Sequence, residues 1–284
     1  MAPKIWVVLS ESNRIINSQP RHYLNLYFIF LLPLSFLSLI FQLIFKHLQQ
    51  QPPSNPSIIT FLSIIFILIS SIFSYGAVIT ITYSVFHAFF NRPVKLKEAI
   101  KSITTSFFPL LATNIITSTL YFFVSFFLTF LIGIVLFLIV YLGNIDLIRV
   151  LANPHLIAIV LMLVILPLIL YLEVNLILVR VVVVVESRWG LEPLKRSWKL
   201  MKGMKWLGFS AMFLFVSLQM ILAWISGYSW VLILVVSPIV AVLSLYYIAV
   251  FTLLYIYCKE KHGEVEEVEF GKEKDEANLS LIPL

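Results

Sequence analysis

Cysteine occurs once, at Cys258, so the chain has no internal disulfide framework, and no cluster of Cys and His shows metal-ligand spacing. Charge is scarce too. Only 12% of residues are Asp, Glu, Lys or Arg while 61% are hydrophobic, and the mean hydropathy is +1.00. A soluble globular chain carries about 25% charged residues, so that class is excluded and the bilayer becomes the expected solvent. Also missing are a P-loop, a dinucleotide-binding fingerprint, an HExxH pair, a nucleophile elbow and paired carboxylates in one cleft. The expectation is therefore a non-enzyme that needs no cofactor and no metal.

Six apolar runs are long enough to cross a hydrocarbon layer of about 30 Å, which takes about 20 helical residues. They cover 23–45, 58–90, 107–142, 156–185, 206–225 and 230–257. The first is preceded by some twenty mixed residues and is itself about 23 long, so it is expected to stay and span rather than be cleaved as a signal peptide. The third is divisible in principle about Gly133, but nothing polar there makes a turn, so it is read as one helix. The predicted fold is all-α: an integral membrane helical bundle of six transmembrane helices over 1–258, followed by a charged tail, 259–284, without sustained helical periodicity.

Charge sign sets the orientation. The net +6 is the sum of +10 on the body and −4 on the tail, where four Lys face eight Asp or Glu from Lys259 onward. With the N-terminus cytosolic, the opposite side holds only Lys46 and Arg149, and Arg180 snorkels from within the fourth span. Both termini are thus expected in the cytosol, in an endomembrane or the plasma membrane. Three segments on that side share a pattern: "VVLSESNRIINSQ", "KLKEAIKSITTSFF" and "EPLKRSWKLMKGMKW". Each has an acidic residue three positions before a basic one (Glu11 and Arg14, Glu98 and Lys101, Glu192 and Lys195) and an apolar stripe at helical spacing. The economical reading is three parallel repeats, 1–90, 91–188 and 189–258, each an interfacial amphipathic helix followed by a transmembrane hairpin.

The third segment is the densest in cations. On a helix beginning at Glu192, the residues Leu194, Trp198 and Met201 form an apolar stripe beside Lys195, Lys199 and Lys202. Such a helix is expected to sink its apolar edge into the membrane surface. Lys195, Arg196, Trp198, Lys199, Lys202, Lys205 and Trp206 are then candidate contacts to anionic lipid headgroups, the partners this reading names. The bland alternative is a topology anchor with no specific ligand. Nucleic acid is not expected as a partner, because no recognised binding motif or aromatic platform accompanies the basic helix. A cytosolic protein docking on the tail is a further possible partner.

Polarity inside the spans is the other signal. Glu173 lies deep in the fourth span, with Arg180 two turns further along the same face. A carboxylate at that depth needs a partner, and Arg180, Asn114, Ser118 or Gln219 are candidates. Glu173, Arg180 and Asn114 together make a candidate intramembrane polar site, which is either a structural clasp or a proton or substrate site. Pro33, Pro109, Pro167 and Pro238 lie within four spans and free backbone carbonyls, an ordinary feature of such helices, and Ser70 with Ser74 forms a small-xxx-small step read as packing.

The stretch "VLSESNRIINSQPRHYLNLYFIFLLPLSF" resembles the start of a group of uncharacterised plant multi-spanning membrane proteins, some of them labelled polyadenylate-binding-protein-binding proteins. That resemblance covers nearly the whole chain and implies a membrane bundle, but no activity. More distantly, "VVVVVESRWGLEPLKRSWKLMKGMKWLGF" is similar to the membrane domain attached to some bacterial glycerophosphodiester phosphodiesterases. There an apolar run ends in an acidic residue before an A-x-x-R-S-W-x-L-x-x-G helix. The matching positions are Glu186, Pro193, Arg196, Ser197, Trp198, Leu200 and Gly203, with proline in place of alanine. The catalytic barrel of those enzymes has no counterpart in this sequence, so the resemblance implies a membrane module and not their reaction.

Overall fold

A computed structural model describes residues 4–50, 56–143 and 154–264. Among them every regular element is helical. In chain order these are α1 (Ile5–Ser18), α2 (Pro20–Leu26), a π turn (Tyr27–Leu31), α3 (Leu32–Gln50), α4 (Pro56–Phe89), α5 (Leu96–Gly143), α6 (Pro154–Leu176), α7 (Val179–Glu186), α8 (Glu192–Leu200), α9 (Lys205–Ser226) and α10 (Trp230–Lys261). Six helical stretches are long and apolar enough to cross a membrane: Pro20–Leu48, Ser57–Phe89, Leu96–Val135, Met162–Glu186, Lys205–Ser226 and Trp230–Lys261. The six predicted runs and these stretches coincide apart from their ends.

Local chemistry explains the interruptions. Pro20 starts α2 in a first turn, where its missing N–H is no loss. The first span then widens into the π turn, in which Leu32 N–H donates to Tyr27 O, five residues back. Pro33 follows directly; it cannot donate and crowds the preceding turn, and a widened turn accommodates it. Two polar links fasten this stretch to the last span. Tyr27 OH donates to Pro238 O at 3.3 Å, and Ser35 Oγ lies 2.8 Å from Ser237 Oγ.

α5 runs unbroken for 48 residues, roughly 72 Å at 1.5 Å per residue, more than twice the hydrocarbon thickness. It passes through Gly133 without a turn, so the single-helix reading of this run matches the structure. The segment "KLKEAIKSITTSFF", expected as a separate interfacial helix, is instead the first turns of α5. No breaker separates it from the span, and Glu98 caps the start by accepting from Lys95 N–H at 3.3 Å. Pro109 is carried inside the helix, with Thr113 Oγ1 donating to its carbonyl at 2.8 Å. The last span likewise extends past 257, through Lys261, so the tail begins as helix; the remainder, 265–284, lies outside the described residues.

α10 is the central helix and touches α1, α3, α4, α7, α8 and α9. Its stretch from Ile248 to Ile256 is buried on every side. Against it stands α7, whose Val181–Val185 run is wholly buried between α4, α5, α8 and α10. Five consecutive β-branched residues would favour a strand in water. Where the surroundings offer no hydrogen bonds, the helix satisfies its own backbone and prevails. The packed core sits at the end of the bundle that carries α1 and α8, called here the basic end. Away from it, Phe61, Leu68, Phe122, Phe130, Leu163 and Val231 point outward, a surface suited to acyl chains.

Candidate functional site

The fourth span is broken. Between α6 and α7 the chain makes a two-residue turn at Ile177 and Leu178, and Asn175 governs it. Its side-chain Nδ2 donates to Tyr171 O at 2.5 Å, while its backbone carbonyl accepts from Ser197 Oγ at 2.7 Å. Both Asn175 and Ser197 are fully buried. The hydroxyl of α8 thus satisfies a carbonyl at the point where the helix ladder is interrupted.

Beside this break lies a cavity of about 190 Å³, walled by α4, α5, α6, α7 and α10. On the same measure a single water needs only roughly 10–15 Å³. Asn114, Glu173 and Arg180, singled out from the sequence, all line it, together with Thr113, Thr117, Ser118 and Tyr121 of α5. Gly190 N–H after α7 donates to Thr113 Oγ1 at 3.1 Å, which places the Thr113 end of the wall toward the basic end. From Thr113 to Tyr121 the wall descends about 12 Å by helical rise. Val78, Leu110, Leu176, Ile248 and Phe251 supply the apolar side.

The partner of Glu173 is none of those expected. Tyr121 OH donates to Glu173 Oε2 at 2.5 Å. Asn114 Nδ2 donates to Tyr75 OH at 2.9 Å, and Gln219 bonds Ser244 Oγ at 3.3 Å away from the cavity. Arg180 is exposed and makes no hydrogen bond or ion pair among the described residues, although it lines the same cavity as Glu173. Tyr121 was missed because tyrosine reads as one more aromatic in this sequence. The signal was there: Thr113, Thr117 and Tyr121 recur every fourth residue in an otherwise apolar span.

The basic helix α8 departs from its expected pose. Leu194, Ser197, Leu200 and Met201 are buried in the bundle, so its apolar edge faces protein instead of the membrane surface. Trp198 is half-exposed and meets the Tyr171 ring edge-on at 5.9 Å. Lys205 Nζ sits 4.6 Å over the same ring and 3.0 Å from its hydroxyl. Arg196 is committed within the protein. Its Nε donates to Glu186 Oε1 at 3.1 Å and its two terminal nitrogens grip Glu264. Glu186 also accepts from Tyr255 OH at 2.8 Å, and Arg188 Nε stands 3.3 Å from its other oxygen. With its side chain 16% exposed, Arg196 is a clamp between α7, α8 and the end of α10, and is unavailable to headgroups. Its bidentate grip also holds the Glu264 carboxyl below the usual carboxylate range. Lys195, Lys199 and Lys202 remain exposed, with Lys199 3.8 Å from Glu264, and Trp206 is 80% exposed.

A second cavity, of about 280 Å³, lies at the opposite end between α3 and α9, beside the 3.4 Å contact of Lys46 Nζ with Gly227 O. It has no carboxylate in its lining and none of the expected site residues. Among the described residues, no group of three His, Cys, Asp or Glu comes together to hold a metal ion. Comparison of the chain with protein-family models, with curated proteins and with solved structures returns no match.

Proposed function

We propose that this chain is a non-enzymatic multi-pass membrane protein with both termini in the cytosol, acting in membrane organisation or lipid handling at the cytosolic leaflet. The observation that carries this reading is the arrangement at the basic end. Lys195, Lys199 and Lys202 project from α8, and the exposed Trp206 stands where the apolar outer surface of α9 begins. Anionic lipids attract each such lysine by about 1 kcal/mol, and tryptophan prefers the headgroup depth. The docking of α8 on the bundle changes how it serves: it is a rigid, prepositioned ledge for headgroups, held by Arg196 and Ser197, and no loose amphipathic float. The test is to purify the full chain and its Lys195→Gln/Lys199→Gln/Lys202→Gln variant from the same membranes and quantify co-purified phospholipid. Several-fold depletion of anionic lipid in the variant supports the reading; an unchanged lipid profile overturns it.

A second reading is favoured by one specific observation. Glu173 and Arg180 line one cavity of about 190 Å³ without pairing within the described residues, which suits a bound solute or lipid and a transporter better than a sealed clasp.

A further inference from the structure

We infer that the cavity between α5 and the broken fourth span binds a zwitterionic group, a primary ammonium a few ångströms from a phosphate or carboxylate, with Glu173 receiving the ammonium and Arg180 the anion. This rests on the second reading above, that the cavity is a ligand site, and it names the ligand's chemistry.

Opposite charges that line one cavity attract, and the simplest fate for Glu173 and Arg180 would be a direct ion pair. The structure lacks one. Tyr121 holds Glu173 Oε2 and so fixes the direction of the carboxylate, while Oε1 has no hydrogen bond among the described residues. Arg180 stands on the far side of the turn at 177–178, seven residues from Glu173, and the two line one cavity without coming within the 4.0 Å of an ion pair. A ligand that carries an ammonium and an anion on one short linker offers each residue a charge-assisted hydrogen bond of about 2.8 Å, which their own separation denies them.

Other ligand classes fit less well. A divalent cation would find one carboxylate and a competing guanidinium. A simple anion would satisfy Arg180 but face Glu173 across an apolar-walled space. A quaternary ammonium would leave Oε1 without a donor, because it has no N–H. The remaining polar lining suits a small group with both donors and acceptors: the Ser118 hydroxyl lies on the same wall, Thr117 Oγ1, which donates to Thr113 O at 2.8 Å, can accept from an ammonium, and the apolar side accommodates methylene carbons. Arg180, which lines the cavity and is exposed, gives access to it from outside the bundle. The same chemistry is offered by an ethanolamine or serine phospholipid and by a free amino acid or phosphoethanolamine.

The test uses the full chain in phosphatidylcholine nanodiscs, with bound species read by native mass spectrometry. Phosphatidylethanolamine, phosphatidic acid, additional phosphatidylcholine and soluble phosphoethanolamine are titrated separately. Phosphatidylethanolamine should bind about tenfold tighter than phosphatidic acid, the margin of one charge-assisted hydrogen bond. Glu173→Gln should erase that margin, and Arg180→Gln should weaken both lipids. Tight binding of soluble phosphoethanolamine identifies a free solute as the source, and binding only of the acyl-chained form identifies a lipid; either supports the zwitterion site. Equal binding of phosphatidic acid and phosphatidylethanolamine by the unsubstituted protein overturns it without need of any variant. If both are then lost in Arg180→Gln, the cavity still holds an anion and only the zwitterion is refuted. If binding ignores both cavity substitutions and vanishes in Lys195→Gln/Lys199→Gln/Lys202→Gln, the cavity reading itself fails and only the surface ledge remains.

Discussion

Arg196 shows how one side chain can join three parts of a bundle. Its guanidinium meets Glu186, whose side chain is 8% exposed, at the end of α7, and Glu264 just beyond α10. Removing it leaves Glu186, among the described residues, with Arg188 and the Tyr255 hydroxyl. Truncating one partner of a buried pair costs about 3–5 kcal/mol. Because Arg188 persists and Glu264 is partly exposed, Arg196→Ala should cost about 2 kcal/mol, measured by thermal unfolding in detergent. Arg196→Lys should recover less than half of the loss, since an ammonium cannot grip Glu264 bidentately while reaching Glu186. The pH dependence has a definite sign. Glu264 is depressed by its hydrogen bonds to Arg196, so its contribution is complete above the ordinary carboxylate value and fades as pH falls through the lower folded value. Acid titration of the unsubstituted protein below that ordinary range should therefore lose stability that Glu264→Gln lacks at every pH.

At the scale of elements, the break between α6 and α7 is what puts Glu173 and Arg180 around a cavity, and α8 holds that break in place. Ser197→Ala removes the hydroxyl that Asn175 O accepts and leaves a buried carbonyl unsatisfied, a penalty of about 1–3 kcal/mol. The variant should unfold at lower temperature and show faster amide exchange at 177–182; a melting temperature within error of the unsubstituted protein would mean that the break stands without α8. None of this was legible in advance. α6 runs through Pro167, and the turn falls ten residues later, where Asn175 and Ser197, from different elements, meet. The existence and type of the spans were legible, since length and hydropathy alone decide them. Glu173, Asn114 and Arg180 were legible as a group because polarity in an apolar run is conspicuous. The direction of α8 was not. Its apolar stripe suits a bilayer surface and a protein surface equally, and only the buried Ser197, a polar residue beside the stripe, hints at the second. At the basic end Glu186 pairs Arg196, Ser197 and Leu200 are buried, and Gly203 adopts φ +88 beside Lys261, whose Nζ donates to its carbonyl.

For the molecule as a whole, packing and charge are both lopsided in the same direction. The closely packed core of α7, α8 and the last turns of α10 lies at the basic end, while the aromatic stretch of α5 beyond Tyr121 has largely outward-facing side chains. Among the described residues the candidate spans number six, an even count, and α1 packs along α10, with Tyr246 OH donating to Asn13 Oδ1 at 2.8 Å. If lysine and arginine set the orientation, the basic end is cytosolic. Asn278, Leu279 and Ser280 form a glycosylation sequon that tests it without adding a tag. The expected outcome is an unglycosylated Asn278 in cells that glycosylate a strong control sequon inserted between positions 51 and 55. In a background with Cys258 replaced, a cysteine introduced at Lys199 should be labelled by an impermeant thiol reagent only after the cytosolic face is opened. A glycan on Asn278 would instead put the acidic tail, the lysine ledge of α8 and the Thr113 end of the Glu173 cavity on the opposite side of the membrane. No cytosolic-leaflet role could then be kept, although the helix packing and the cavity itself would stand unchanged.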